Sequence, residues 1–178
     1  MSTRTNIKIT DGQQTLYLYR HCDGYPAEAG SDIYEVAKEL DGTRGYNPDW
    51  IRAVNKFMTY LYDATEYRPA RPVYELTDST HGDIEHFYHV AIRQHECPHN
   101  NPYCNECEPK SYVKVYHAKG YGPELEWECL QSCFTPDEFA EVVNADRRAI
   151  NQRLKALREE QPEPYGNAED YPMVGASA

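Results

Sequence analysis

The sequence has no long apolar run. Nothing in its 178 residues approaches the roughly 20 consecutive apolar residues that a helix needs to span a bilayer. Positive charge is also scarce: 18 Lys and Arg stand against 29 Asp and Glu, for a formal net charge of -11. That balance argues against a protein that grips nucleic acid through its phosphates, and leaves room only for a small nucleotide in a local basic pocket. There is no G-x-S-x-G elbow and no Walker loop, so neither of those nucleophile and phosphate-loop signatures is present. The opening stretch MSTRTNIKITDG lacks an apolar h-region and does not read as a signal peptide. A cytoplasmic protein with reduced cysteines is the expectation. Phe and Trp are few, 4 and 2, whereas Tyr numbers 16. Tyr packs a ring while keeping a hydroxyl for hydrogen bonding, which suits half-buried surfaces and interfaces.

What is present reads as alternating strands and three amphipathic helices. NIKIT and TLYLYRH alternate on either side of the turn DGQQ and predict a hairpin, with Leu16 and Leu18 on one face and Tyr17, Tyr19 and His21 on the other. Ser31 reads as the N-cap of a helix whose Ile33, Val36, Ala37 and Leu40 recur at helical spacing. Asn47 and Pro48 open a second helix over 48–63. Strands are expected over 72–78, 84–92 and 111–118, and LEWECLQS as a further strand or an irregular crossing. Thr135 and Glu138 form a capping box, with Pro136 at the first position, for a helix running to about Glu160. Its expected buried stripe is Phe139, Val142, Val143, Ile150, Leu154 and Leu157. The fold class is therefore α+β: a mostly antiparallel sheet of about five strands, with helices packed on one face and a Cys/His-rich loop. Residues 1–160 form a single domain, with a loop insertion over 93–110. Residues 161–178, acidic and without a period, read as a disordered tail.

That loop carries the strongest chemical signal, HECPHNNPYCNEC. Cys97, His99, Cys104 and Cys107 follow the spacing C-x-H-x4-C-x2-C, which supplies the four ligands of a tetrahedral zinc. His95, Cys129 and Cys133 are substitutes, the last two spaced for one face of a helical turn. The spacing favours structural zinc over free thiols, and free thiols over disulfides. Four ligands close the coordination sphere, so a catalytic zinc is disfavoured. His86 and His89 fall on opposite faces of a strand and read as half-exposed sheet residues rather than a metal pair.

The second cluster is LYLYRHCDGYPAEAG. Its turn has a structural reading: Gly24 for a positive φ, Asp23 for an Asx-turn and Pro26 to stiffen the exit. It also has a ligand-site reading. Arg20 offers a fork for phosphate or carboxylate, His21 with Asp23 a base and its orienter, and Tyr19 and Tyr25 rings to stack on. YRHCDGYP resembles the Y-x-H-x-D-G-Y-P signature of small bacteriophage and bacterial proteins of no settled function, at Tyr19, His21, Asp23, Gly24, Tyr25 and Pro26. The order of elements resembles theirs over about residues 7 to 145, with a helix, a hairpin like VYELTDSTHGDIEHFYHVAI and a closing helix like TPDEFAEVV. The zinc loop is not part of that resemblance. The resemblance implies a small, phage-encoded accessory protein in the bacterial host cytoplasm. Three functions follow as expectations: a non-enzymatic binding module for a host protein or small ligand, a hydrolase of a nucleotide or phosphoester, and a virion or assembly component. A homo-oligomer stays open.

Overall fold

The computed structural model describes residues 3–42, 52, 54–56, 58–59, 74–94, 111–160 and 172–175. Six strands form one sheet: β1 (Thr5–Thr10), β2 (Thr15–Arg20), β3 (Glu75–Thr77), β4 (His86–Gln94), β5 (Ser111–Lys119) and β6 (Cys133–Phe134). Their spatial order is β3-β2-β1-β4-β5-β6. Every neighbouring pair is antiparallel except β1 and β4, which run parallel at the centre. The fold is thus α+β with a mixed, mostly antiparallel sheet, one strand larger than expected. The two strands around STHGD do not form a hairpin. β3 adds to β2 at one edge, and the chain then crosses back to lay β4 beside β1. A parallel neighbour needs such a crossover, because a tight turn joins only antiparallel strands.

Alternation sorts the side chains as expected. Ile7, Ile9, Leu18, Tyr88, Val90, Ile92, Val113 and Val115 enter the main core. Two helices cover that face: α1 (Ser31–Leu40), through Ile33, Val36, Ala37 and Leu40, and α3 (Pro136–Glu160), through Phe139, Ala140 and Val143. The opposite face carries a smaller core of Tyr19, Ile84, Phe87, Leu125 and Cys129. It is covered by a single helical turn, α2 (Leu125–Glu128), that tightens into a 3₁₀ turn over Cys129–Gln131. LEWECLQS is therefore neither strand nor irregular crossing. Helices accordingly lie on both faces, though both long ones share one.

The capping box is in place: Glu138 N–H donates to Thr135 Oγ1 at 3.2 Å, and Thr135 N–H to Glu138 Oε2 at 2.7 Å. In the stripe of α3, Phe139 and Val143 are buried, while Val142, Ile150, Leu154 and Leu157 are only partly covered. Ser31 is not the cap of α1. A π-helical turn, Pro26–Gly30, leads directly into the helix, and Ser31 Oγ donates back to the Ala27 carbonyl at 2.6 Å. Of the helix expected over 48–63, the described residues 52, 54–56, 58 and 59 are helical and Met58 packs on the main core. The rest of it lies outside the described residues, as do most of 161–178. Of that segment, Pro172–Gly175 is described and sits against the domain. Asn144 and Val174 exchange two hydrogen bonds, of 3.0 and 2.9 Å, and Arg147 donates to the Pro172 carbonyl. No described helix is long and apolar enough to cross a membrane.

Candidate functional site

Strand β2 carries the motif to the end of the sheet, and its alternation decides what the motif does. Leu18 and Arg20 point to the helix face, and Tyr17 and Tyr19 to the other. The site residues expected to act together are therefore divided between two sides of a sheet.

On the helix side Arg20 is 7% exposed and sits over Tyr74, which is itself buried. Its Nε donates to the Cys22 carbonyl at 2.8 Å, and one terminal nitrogen reaches Asp32 at 3.1 Å and Tyr74 Oη at 2.9 Å. The other lies 3.6 Å from Glu28. Tyr74 in turn donates to Asp32 at 2.5 Å. Burial opposes the guanidinium charge, but Tyr74, Asp32 and Glu28 outweigh it and hold the Arg20 pKa above its ordinary value. A buried charge persists only when paired and hydrogen-bonded. Here the pairing closes the fork: Arg20 staples β2 to the π-helical turn and the first turn of α1.

The turn is fastened from three further directions. Gly24 N–H donates to Thr3 O at 2.9 Å, and Tyr88 Oη donates to Gly24 O at 3.0 Å. From α3, Asp146 accepts from Ala27 N–H at 2.9 Å and Arg147 donates to Ser31 Oγ at 2.8 Å. Gly24 is not the positive-φ residue; Asp23 is, at φ 56°. Gly24 is required by proximity instead. A Cβ there would stand 2.8 Å from Thr5 Cβ and 2.9 Å from the Arg4 carbonyl carbon. Asp23 accepts from Ala29 N–H through its main-chain carbonyl at 3.3 Å, and the half-buried Tyr25 accepts from Glu28 N–H at 3.1 Å.

The opposite side gathers a second cluster around Tyr19. The His81 ring stacks on it at 4.0 Å, and the His21 ring meets it edge-on at 4.6 Å. Tyr19 Oη donates to Asp83 at 3.2 Å, and Arg4 binds the same carboxylate at 2.6 Å. Burial, then Asp83, pushes the Tyr19 hydroxyl up to about 12, so it stays protonated. His21 Nε2 lies 3.0 Å from Glu75 on β3. The face that Tyr19 offers to a ligand ring is thus taken by His81. Glu28, Asp32, Tyr74, His81 and Asp83 all escaped the sequence reading. Only Asp32 left a signal: an acid in the first turn of the next helix, within reach of Arg20.

A third cluster sits on the helix face of β4 and β5. His86 Nδ1 and His117 Nε2 are 2.9 Å apart, with both rings stacked on Tyr88. His86 is 4% exposed, not half-exposed as expected. Burial, with Lys119 nearby, lowers it to about 4. Burial, His86 and Lys119 lower His117 to about 3. Both imidazoles are neutral at pH 7. His89, on the other face, stacks with Tyr116.

Cys97, His99, Cys104, Cys107 and His95 lie outside the described residues. Of the substitutes, Cys129 is buried and its thiol donates to the Glu126 carbonyl at 3.3 Å. Burial, then Glu126, raises it to about 12. Cys133 does not share a helical turn with it, because the chain leaves the 3₁₀ turn at Ser132 and places Cys133, exposed, on β6. Among the described residues no group of three or more His, Cys, Asp or Glu is arranged to hold a metal ion.

Two surface features complete the inventory. Trp127, Tyr121 and Leu130 are 77%, 74% and 48% exposed within one ten-residue stretch. Leu125 and Cys129 anchor its inner side, while Glu126 is tied to Lys8 at 2.6 Å, Thr80 at 2.6 Å and Tyr17 at 2.9 Å. The stretch is therefore held rigidly with Trp127 outward. At the β6 edge, far from β2, a groove of about 560 Å³ is lined by Cys133, Phe134, Glu138, Glu141, Val142 and Ala145. No family model, curated protein or solved structure matches the chain.

Proposed function

We propose that this chain is a non-enzymatic binding module for another protein, a host protein if the phage-like signature reflects its origin, acting in the cytoplasm. In this reading a structural zinc at Cys97, His99, Cys104 and Cys107 orders the loop between β4 and β5. The observation that carries it is the closure of Arg20. The one group in the motif suited to gripping a phosphate is buried and bonded to Asp32, Tyr74 and the Cys22 carbonyl, on the face opposite His21. Catalysis on a phosphoester needs positioned cations and a base aimed at one reacting centre, and this division of the motif works against that. Exposed aromatic and aliphatic side chains are instead concentrated at Tyr121, Trp127 and Leu130, beside the exposed Glu124 and Glu128. Trp and Tyr on a rigid support are the residue types that anchor protein interfaces, and the flanking carboxylates favour a basic partner.

The test compares wild type, His21→Ala and Trp127→Ala/Leu130→Ala in two assays: affinity capture of partners from bacterial extract, and turnover of a panel of nucleotides and phosphodiesters. The reading expects a protein captured by wild type and His21→Ala but lost by the double variant, with no turnover. Turnover by wild type that His21→Ala abolishes overturns it in favour of the hydrolase.

A further inference from the structure

We propose that α1 and α3 form a peptide-binding seat, and that the chain's own Pro172–Gly175 segment occupies it as a displaceable ligand. The seat lies on the sheet face opposite Trp127. It goes beyond the binding role above and does not depend on it.

The buried side of α3 changes character along its length. Phe139, Ala140 and Val143 are apolar, but Asn144 and Arg147, the next buried positions, are polar. They are 7% and 9% exposed. Asn is a poor choice for the middle of a helix, because its amide competes with the backbone for hydrogen bonds. A buried amide also costs free energy unless both its ends are bonded. Here both are, and to one residue. Asn144 Nδ2 donates to the Val174 carbonyl at 3.0 Å, and Val174 N–H donates to Asn144 Oδ1 at 2.9 Å. Among the described residues the Asn144 amide has no other partner. Arg147 donates to the Pro172 carbonyl and, on its other side, to the Ala27 carbonyl and Ser31 Oγ of the π-helical turn and α1. The two polar side chains thus hold the main chain of the segment from inside the fold.

Two side-chain positions of the segment are read as well. Val174 packs on the main core. Gly175 has φ +70°, which favours glycine, and a Cβ there would come within 3.1 Å of Tyr34 Oη on α1. Met173, 37% exposed, turns outward. The ligand class is therefore a short peptide carrying Val-Gly. Main-chain hydrogen bonds hold it, and the valine and glycine positions select it. The seat persists when the segment leaves, because α1 and α3 are fixed on the sheet by Ile33, Val36, Phe139 and Val143. The segment reaches it within one chain. Asn144 lies about 24 Å back from Glu160 at about 1.5 Å per residue, and the eleven residues 161–171 span up to about 36 Å. A contact of four residues is weak alone, but a tether of this length supplies an effective concentration of about a millimolar. A ligand of about 0.1 mM affinity is then seated most of the time and still exchanges.

A fluorescein-labelled peptide of residues 168–178, titrated with full-length proteins and followed by fluorescence anisotropy, tests this. Wild type, with its seat occupied, should bind the peptide at least about tenfold more weakly than Val174→Asp, whose own segment no longer docks. Gly175→Val undocks the segment by a second route and should match Val174→Asp. Adding Asn144→Leu to Val174→Asp should abolish binding. A labelled peptide that itself carries Val174→Asp should bind none of these proteins. Circular dichroism checks that each variant is folded. If neither tail variant binds the peptide at millimolar concentration, the inference is overturned. Equal binding by wild type and the tail variants overturns it too, as does binding that survives Asn144→Leu or the altered peptide. So does a wild-type dimer in sedimentation equilibrium that Val174→Asp dissolves, since the segment would then come from a second copy. None of these outcomes bears on partner capture through Trp127.

Discussion

Acid should destabilise this protein through the His86–His117 pair. In the unfolded chain both imidazoles titrate near 6.5; in the fold His86 is lowered to about 4 and His117 to about 3. Between those values the unfolded state binds protons that the native state refuses, so stability falls as pH falls. The contribution is fully present above pH 6.5 and is lost progressively below it. One pKa unit corresponds to 1.36 kcal/mol. At about pH 4.5, two units below 6.5, the pair has therefore given up about 5 kcal/mol. That is comparable to the whole stability of an ordinary domain, about 5–15 kcal/mol. With a urea m-value of about 2 kcal/mol/M, the midpoint should drop by about 2.5 M between pH 7.5 and pH 4.5. The control is His86→Gln/His117→Gln, whose amides can bond to each other and do not titrate. Urea titrations of both proteins at several pH values isolate the pair, because other titrating groups are common to both. The wild-type midpoint should fall steeply and the variant's much less. Parallel pH dependence in the two proteins would refute the argument that buried neutral imidazoles carry the effect.

Three further outcomes follow from the same contacts. Arg20→Met strands the Asp32 carboxylate among buried groups and should cost about 3–5 kcal/mol in chemical denaturation, much of it recovered by adding Asp32→Leu; a loss below about 1 kcal/mol would mean the guanidinium is not holding the turn. Gly24→Ala drives a methyl group to 2.8 Å from Thr5 Cβ and should cost about 1–3 kcal/mol by thermal melting, whereas Gly82→Ala, with nothing within 4 Å, should be near neutral. Cys104→Ser/Cys107→Ser should remove one zinc per chain in native mass spectrometry of protein purified without chelator; unchanged metal content would rule out that ligand set.

Alternation made most of the sheet readable in advance. In β2 and β4 a period of two decides which side chains meet a core, and those faces are as read. The start of α3 was legible because Thr135, Pro136 and Glu138 each have a local role. The parallel pairing of β1 with β4 left no local trace, since a crossover is decided by what the whole sheet buries. LEWECLQ was ambiguous for a physical reason. Leu125, Trp127 and Cys129 alternate as a strand would, while Leu125 and Cys129 also fit one side of a helix. The exposure of Trp127, 77%, shows that the helical period won. The motif at Tyr19–Pro26 was legible as a list of residues but not as an arrangement. Arg20 and His21 are adjacent in the chain, yet β-strand geometry sends them to opposite faces. Their partners, Tyr74 and Glu75, lie just before and at the start of an edge strand more than fifty residues later.

The central claim is that Arg20 is a structural staple closed to ligands. Nuclear magnetic resonance of its Nε–H proton tests that directly, with assignment by loss of the signal in Arg20→Met. The account predicts a distinct, slowly exchanging resonance that does not move when millimolar phosphate, ATP or a dinucleotide is added. A resonance that exchanges rapidly with water, or shifts saturably with one of those anions, would contradict it and return the Tyr19–Tyr25 stretch to the role of a binding site.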